Sequence, residues 1–328
     1  MFAILRSISV KRLITAVVMG IGMLSTSVFA AGFDMPTVTY PENNAYSPAK
    51  AELGKMLFFD PRLSGSNIMS CATCHNPSLG WADGLPLGKG HNMGLLGRNV
   101  PTVINSAYNK TQFWDGRSAT LEDQAKGPIL SLGEMHQDEA ELMDELNAIP
   151  GYVRAFSRVF DDGISFDNVA KAIAVYERQI VSNDSAFDRF QHGETSAMSA
   201  AAQRGWDLYR GKALCSSCHN GPNFTDNRFH DIGVNDGDEG RIAVTGKKRD
   251  RFKFKTPTLR DVSRTAPYLH NGQEATLTEV MAFYNRGGDR AGNELKALGL
   301  SDGEMADVVA FMRALDGAPI VVTMPQLP

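Results

Sequence analysis

Two pentapeptides constrain this chain more than any other feature: Cys71-Ala72-Thr73-Cys74-His75 and Cys215-Ser216-Ser217-Cys218-His219. Cysteines three positions apart with histidine directly after the second form the attachment signature of c-type haem, in which the thiols add to the porphyrin vinyl groups and the imidazole reaches iron. The two motifs consume all four cysteines in the chain. No thiol is left for a disulfide or a nucleophile. A thioredoxin-like CxxC needs no histidine, and a zinc ribbon would not place one after each of two such distant pairs. The chain therefore reads as carrying two covalently bound c-type haems.

Export fits that reading. Arg6, Lys11 and Arg12 precede an apolar run from Leu13 to Leu24, and Val28-Phe29-Ala30 offers a small-residue cleavage site. The run is shorter than the roughly 20 residues a membrane span requires. Residues 1–30 thus read as a cleaved signal peptide, which places the mature protein in the periplasm with no membrane span after cleavage. Losing three basic residues takes the formal charge from −4 to about −7, a poor balance for binding nucleic acid.

The remaining length accommodates two modest units, and the patterning predicts a mainly α fold of two cytochrome c-like domains, residues 31–183 and 184–328. Ser47-Pro48 is an N-cap followed by proline at the first helical position, opening a helix to Phe59 just before the first motif. Ser199 to Tyr209 repeats this plan before the second. Further helices are predicted over Asp138–Ile149, Tyr152–Phe160, Asp167–Val181, Thr276–Tyr284 and Ser301–Leu315. Asp34–Asn44 reads as an extended surface segment, Asp83–Asn99 as a loop around a haem edge, Asn223–Phe254 as a solvated charged loop and Pro319–Pro328 as a tail.

His75 and His219 supply the proximal ligands, so function turns on the opposite face of each iron. In the second half, Leu277, Val280, Met281 and Tyr284 share one helical face. Either Met281 or Tyr284 can bind iron, packing is the ordinary role of both, and spacing does not choose. In the first half, His91 and Met93 lie in the glycine-rich loop, where a displaceable ligand could reside. Gln124, Pro128 and Glu134 follow. An amide and a carboxylate above an open iron can orient peroxide and carry its proton.

The runs Leu57-Phe58-Phe59-Asp60-Pro61-Arg62-Leu63-Ser64, Asp83-Gly84-Leu85-Pro86, Gln112-Phe113-Trp114-Asp115-Gly116-Arg117, Gln124-Ala125-Lys126-Gly127-Pro128 and Thr265-Ala266-Pro267-Tyr268-Leu269-His270-Asn271-Gly272 join the two haem motifs in order. Together they resemble the bacterial dihaem cytochrome c peroxidase and MauG family over nearly the whole mature chain. The resemblance implies that the haem on His75 meets hydrogen peroxide, with Gln124, Pro128 and Glu134 lining its distal pocket and Trp114 relaying electrons between haems. It also implies one calcium ion held by Asn99 and the carbonyls of Thr265 and Pro267, oxygen ligands that suit a hard cation.

Two positions separate the branches of that family. Tyr284 stands where the peroxidases carry a methionine ligand and MauG a tyrosine, which favours Tyr284 over Met281. His91 matches the histidine that caps the first haem in resting peroxidases. Methionine opposite histidine raises a haem potential, whereas a phenolate favours the oxidised metal. Three functions follow: a peroxidase fed by a small periplasmic electron-transfer protein, a MauG-like enzyme oxidising residues of a protein substrate, or a non-enzymatic dihaem electron carrier. A homodimer is left open.

Overall fold

The computed structural model describes residues 33–328, so the signal-peptide reading of residues 1–30 lies outside the described residues. Eleven α-helices are joined by long irregular segments: α1 (Pro48–Phe59), α2 (Cys71–Cys74), α3 (Leu121–Leu130), α4 (Glu139–Asn147), α5 (Pro150–Ser157), α6 (Phe166–Glu177), α7 (Ala186–Gln191), α8 (Ala200–Arg210), α9 (Ile242–Thr245), α10 (Leu277–Arg286) and α11 (Asp302–Arg313). One two-stranded antiparallel ribbon pairs β1 (Phe229–His230) with β2 (Phe254–Lys255). Among the described residues no helix is long and apolar enough to cross a membrane.

Local chemistry starts these helices. Ser47 and Ser199 accept the Lys50 and Ala202 amides at the starts of α1 and α8. Thr276 with Glu279 and Ser301 with Glu304 form reciprocal capping boxes on α10 and α11. The same device recurs in packing. α1 crosses α6 at Gly54, where an added Cβ would lie 1.9 Å from the Ala172 carbonyl oxygen, and α8 crosses α11 at Gly205, where it would lie 1.9 Å from that of Asp307. Only glycine permits either approach.

Apolar side chains gather accordingly. One core joins Leu53, Leu57 and Phe58 of α1 to Val169 and Ile173 of α6, while others join Trp206 and Tyr209 of α8 to Phe311 of α11, and Met281 of α10 to Val308 and Met312. At about 25 cal/mol per Å² of apolar surface removed from water, each such aromatic side chain contributes on the order of 2–3 kcal/mol.

Several expectations require correction. Helix α3 falls where the sequence pattern predicted none. Thr120 caps it through the Asp123 amide at 3.0 Å, and Pro128 sits near its end, where little of the ladder remains to be broken. Helix α6 stops at Glu177, short of Val181, because Asn105 captures the Ser182 amide and carbonyl instead. The segment from Pro319 is a docked strap: Ile320 and Val322 pack on the first core and the Pro328 carbonyl accepts from Arg62. At the other end, Phe33 stacks 5.3 Å from Phe224 within the aromatic cluster of α7, α8 and α11. The charged segment 223–254 folds back on the first half, where Arg98 bridges Asp115 at 2.6 Å and Asp238 at 2.7 Å.

Candidate functional site: a shared cavity between two haem-attachment motifs

Both motifs open onto one cavity of about 1130 Å³, larger than the ~300–1,000 Å³ typical of a small-molecule site. Cys71, Cys74 and His75 line one end, and Cys215, Cys218 and His219 the other. Each motif is a tight turn in which the histidine amide donates to the first cysteine's carbonyl, at 2.9 Å in both cases. That closure turns the thiols and the imidazole toward the same space.

The residues present fit haem at both ends. His75 Nδ1 lies 3.3 Å from the Trp81 carbonyl and His219 Nδ1 lies 3.1 Å from that of Phe224. An Nδ1–H donated to a carbonyl leaves Nε2 as a free lone pair, the arrangement an iron ligand needs. Burial pushes His75 down to about 4 and lowers His219 as well, so both imidazoles are neutral. Burial also raises the Cys74 thiol to about 11 and that of Cys215 to about 12. They are thiols held in apolar surroundings and not activated thiolates.

The walls opposite the histidines differ. Gln124, Pro128 and Glu134 all line the cavity, from α3 and the turn after it. Burial raises the Glu134 carboxyl above its ordinary value, with Arg117 and Ser131 opposing the shift. At the second end, Met281 and Tyr284 of α10 both line the cavity. Met281 is also part of a packed core, whereas Tyr284 lies outside those clusters. Burial raises the Tyr284 phenol well above its ordinary value.

Trp114 lies in the wall of the same cavity. Its indole nitrogen donates to the Asn99 carbonyl at 2.9 Å, its own carbonyl accepts the Lys255 amide at 2.7 Å, and its ring centroid is 6.3 Å from that of His270. Asn99, Thr265 and Pro267 line the same cavity. Among the described residues the Thr265 and Pro267 carbonyls accept no hydrogen bond, which leaves them free for a cation. His91 is not brought to the cavity, although its neighbour Gly90 is; its ring lies 4.2 Å from that of His136 and its Nδ1 is buried without a partner.

Four ionisable residues in the wall escaped the sequence reading. Glu177 is buried, pushed up to about 8 chiefly by burial, and its Oε2 has no partner. His270 stacks on Phe254 at 3.6 Å. Lys255 is buried and lowered to about 8. His230 lies 2.9 Å from Asp226 and 2.7 Å from Glu294, and with Cys218 it forms a metal-like cluster. Haem attachment consumes that thiol, so the cluster is the haem site's own edge. No local pattern marks any of the four; only the folded wall does.

Fold and cavity thus define a helical protein that presents two c-type haem sites to one another. Residues 48–196 match the family described as di-haem cytochrome c peroxidase. The chain is 42% identical over 300 residues to the methylamine utilization protein MauG of Methylorubrum extorquens, covering 89% of this chain and 85% of that one. It is 39% identical over 303 residues to the cytochrome c551 peroxidase of Pseudomonas aeruginosa, with the same coverages of 89% and 85%. Among solved structures, a MauG-like protein associated with microbial copper homeostasis superposes with a TM-score of 0.80 at 31% identity, over 88% of this chain and 96% of that one. This chain belongs to the di-haem cytochrome c peroxidase and MauG family, and it is a haem-dependent oxidoreductase with two haems.

Proposed function

We propose that this protein reacts with hydrogen peroxide at its first haem site and exchanges electrons with a protein partner through the second. The unlike walls of the shared cavity carry this reading: a half-buried carboxyl and an amide near the first motif, a half-buried phenol near the second. When bound, the haems supply iron centres that take up and pass single electrons. Glu134 accepts a proton from incoming peroxide at its carboxylate and returns it to the departing oxygen, while the Gln124 amide orients the oxygens. Cleaving the O–O bond to give two waters takes two electrons and two protons. Trp114 links the two ends for those electrons, pinned at its indole nitrogen by Asn99 and at its carbonyl by Lys255.

Cys71, Cys74 and His75 hold one haem, and Cys215, Cys218 and His219 the other, in units of residues 31–183 and 184–328 whose ends cross over. Tyr284 would ligate the C-terminal haem, and Asn99, Thr265 and Pro267 would hold calcium. His91 stays clear of the first iron, so peroxide enters without a ligand having to leave. The enzyme works in the periplasm after loss of residues 1–30.

Tyr284 favours a MauG-like direction, in which peroxide meets the fully oxidised enzyme and the partner is a protein that gives up electrons. Stopped-flow spectroscopy with stoichiometric peroxide, before and after one-electron reduction, tests it. Reaction of the oxidised protein is expected. Reaction only after reduction would assign the peroxidase cycle, and none in either state would leave an electron carrier.

A further inference from the structure

Lys255 presents a charge that nothing in the folded chain balances. It is 9% exposed, lies on β2 and lines the cavity between the two motifs. The neighbouring cations are paired: Arg98 with Asp115 and Asp238, Lys253 with Glu294 at 2.6 Å. Among the described residues Lys255 has no ion pair. Its backbone is held firmly, with the amide donating to the Trp114 carbonyl at 2.7 Å and the residue registered against Phe229. A buried ammonium without a counter-ion is costly, and burial alone accounts for its lowered proton affinity. A site with an unbalanced cation is a site for an anion.

The position of Lys255 selects that anion. The next residue, Thr256, accepts the Thr225 hydroxyl at 2.6 Å, and the residue before Thr225, Phe224, holds His219 Nδ1. The lysine therefore belongs to the wall that orients the second motif's histidine. Haem brings carboxylates of its own in its propionates, and it is fixed covalently at Cys215 and Cys218. We propose that Lys255 pairs with a propionate of the C-terminal haem, so that the strand that carries Trp114's backbone partner also anchors the acidic edge of that haem. The inference rests on the two-haem reading above. An ammonium against the propionate offsets negative charge beside the iron and raises the potential of that haem, opposing the expected pull of Tyr284.

Potentiometric titration of the fully loaded protein, followed haem by haem, tests the pairing against K255Q and K255R. K255Q is expected to lower the midpoint of the C-terminal haem and shift its propionate bending mode in resonance Raman, leaving the other haem unmoved. K255R keeps the charge and covers the case in which K255Q takes up no haem: it should hold the parent potential while displacing the propionate mode through a changed donor. An unchanged C-terminal midpoint in K255Q, a shift confined to the N-terminal haem, or an unchanged propionate mode in K255R would overturn the pairing. Intact mass of the parent separates this from failure of the underlying reading, since a chain without two covalent haems would sink that reading first.

Discussion

The two halves of this molecule attach their haems in the same way and face them differently. In each, a helix precedes the motif, a glycine lets that helix touch its partner, and a nearby carbonyl five or six residues on fixes the proximal imidazole. Across the cavity the likeness ends. The first half contributes Gln124 and Glu134, whose carboxyl burial raises above its ordinary value, to the cavity wall, while the second contributes the Tyr284 phenol beside its cysteines. Attachment is therefore a local property of five residues, and reactivity a property of whichever distant segment closes the other side.

The largest expected effect breaks the first half outright. Replacing Cys71 and Cys74 with alanine should remove one covalent haem by intact mass and abolish reaction with peroxide, whereas the matching pair at Cys215 and Cys218 should remove the other haem and chiefly interrupt electron exchange. Equal losses from the two pairs would erase the proposed division of labour.

Next comes the proton carrier. Glu134→Gln should slow the bimolecular reaction with peroxide by about 10²–10⁴-fold in stopped flow, the usual worth of a positioned acid-base group. Because burial raises the Glu134 carboxyl, the parent rate should fall as pH drops through a value above the ordinary carboxylate range, where the base becomes protonated. E134Q should lose that limb of the profile.

Tyr284→Met would make the two ends of the cavity serve a different cycle. It should raise the potential of the C-terminal haem by about 0.1 V or more, within the ~0.8 V that axial ligands span, and make peroxide reaction depend on prior reduction. An unaltered spectrum and potential would reject Tyr284 as a ligand. The smallest effect concerns the shared scaffold: Gly54→Ala and Gly205→Ala should each cost about 1–3 kcal/mol in denaturant unfolding, since either Cβ must push back a carbonyl oxygen.

Much of this was legible in the residues. The haem motifs need only a short turn to work, so their chemistry survives translation into sequence, and α1, α8 and α10 were found because a serine or threonine cap joins an uninterrupted helical pattern there. The mainly helical fold, the family and the class of enzyme follow from such signals. Helix α3 escaped because its Gly-Pro pair reads as a breaker, and its capping and packing against α6 outweigh that local preference. The C-terminal strap and Phe33 escaped because their partners lie at the opposite end of the chain.

By itself, then, the sequence determined where the two haem-attachment motifs lie and what lineage of oxidoreductase the chain belongs to, since both rest on short contiguous runs. Tertiary structure alone decided which further groups share the cavity, bringing Glu177, Lys255 and His270 into its wall and leaving His91 outside it against His136. Burial raises Glu177 and lowers Lys255 and His270, and burial is a property of the packed wall that no single segment contains.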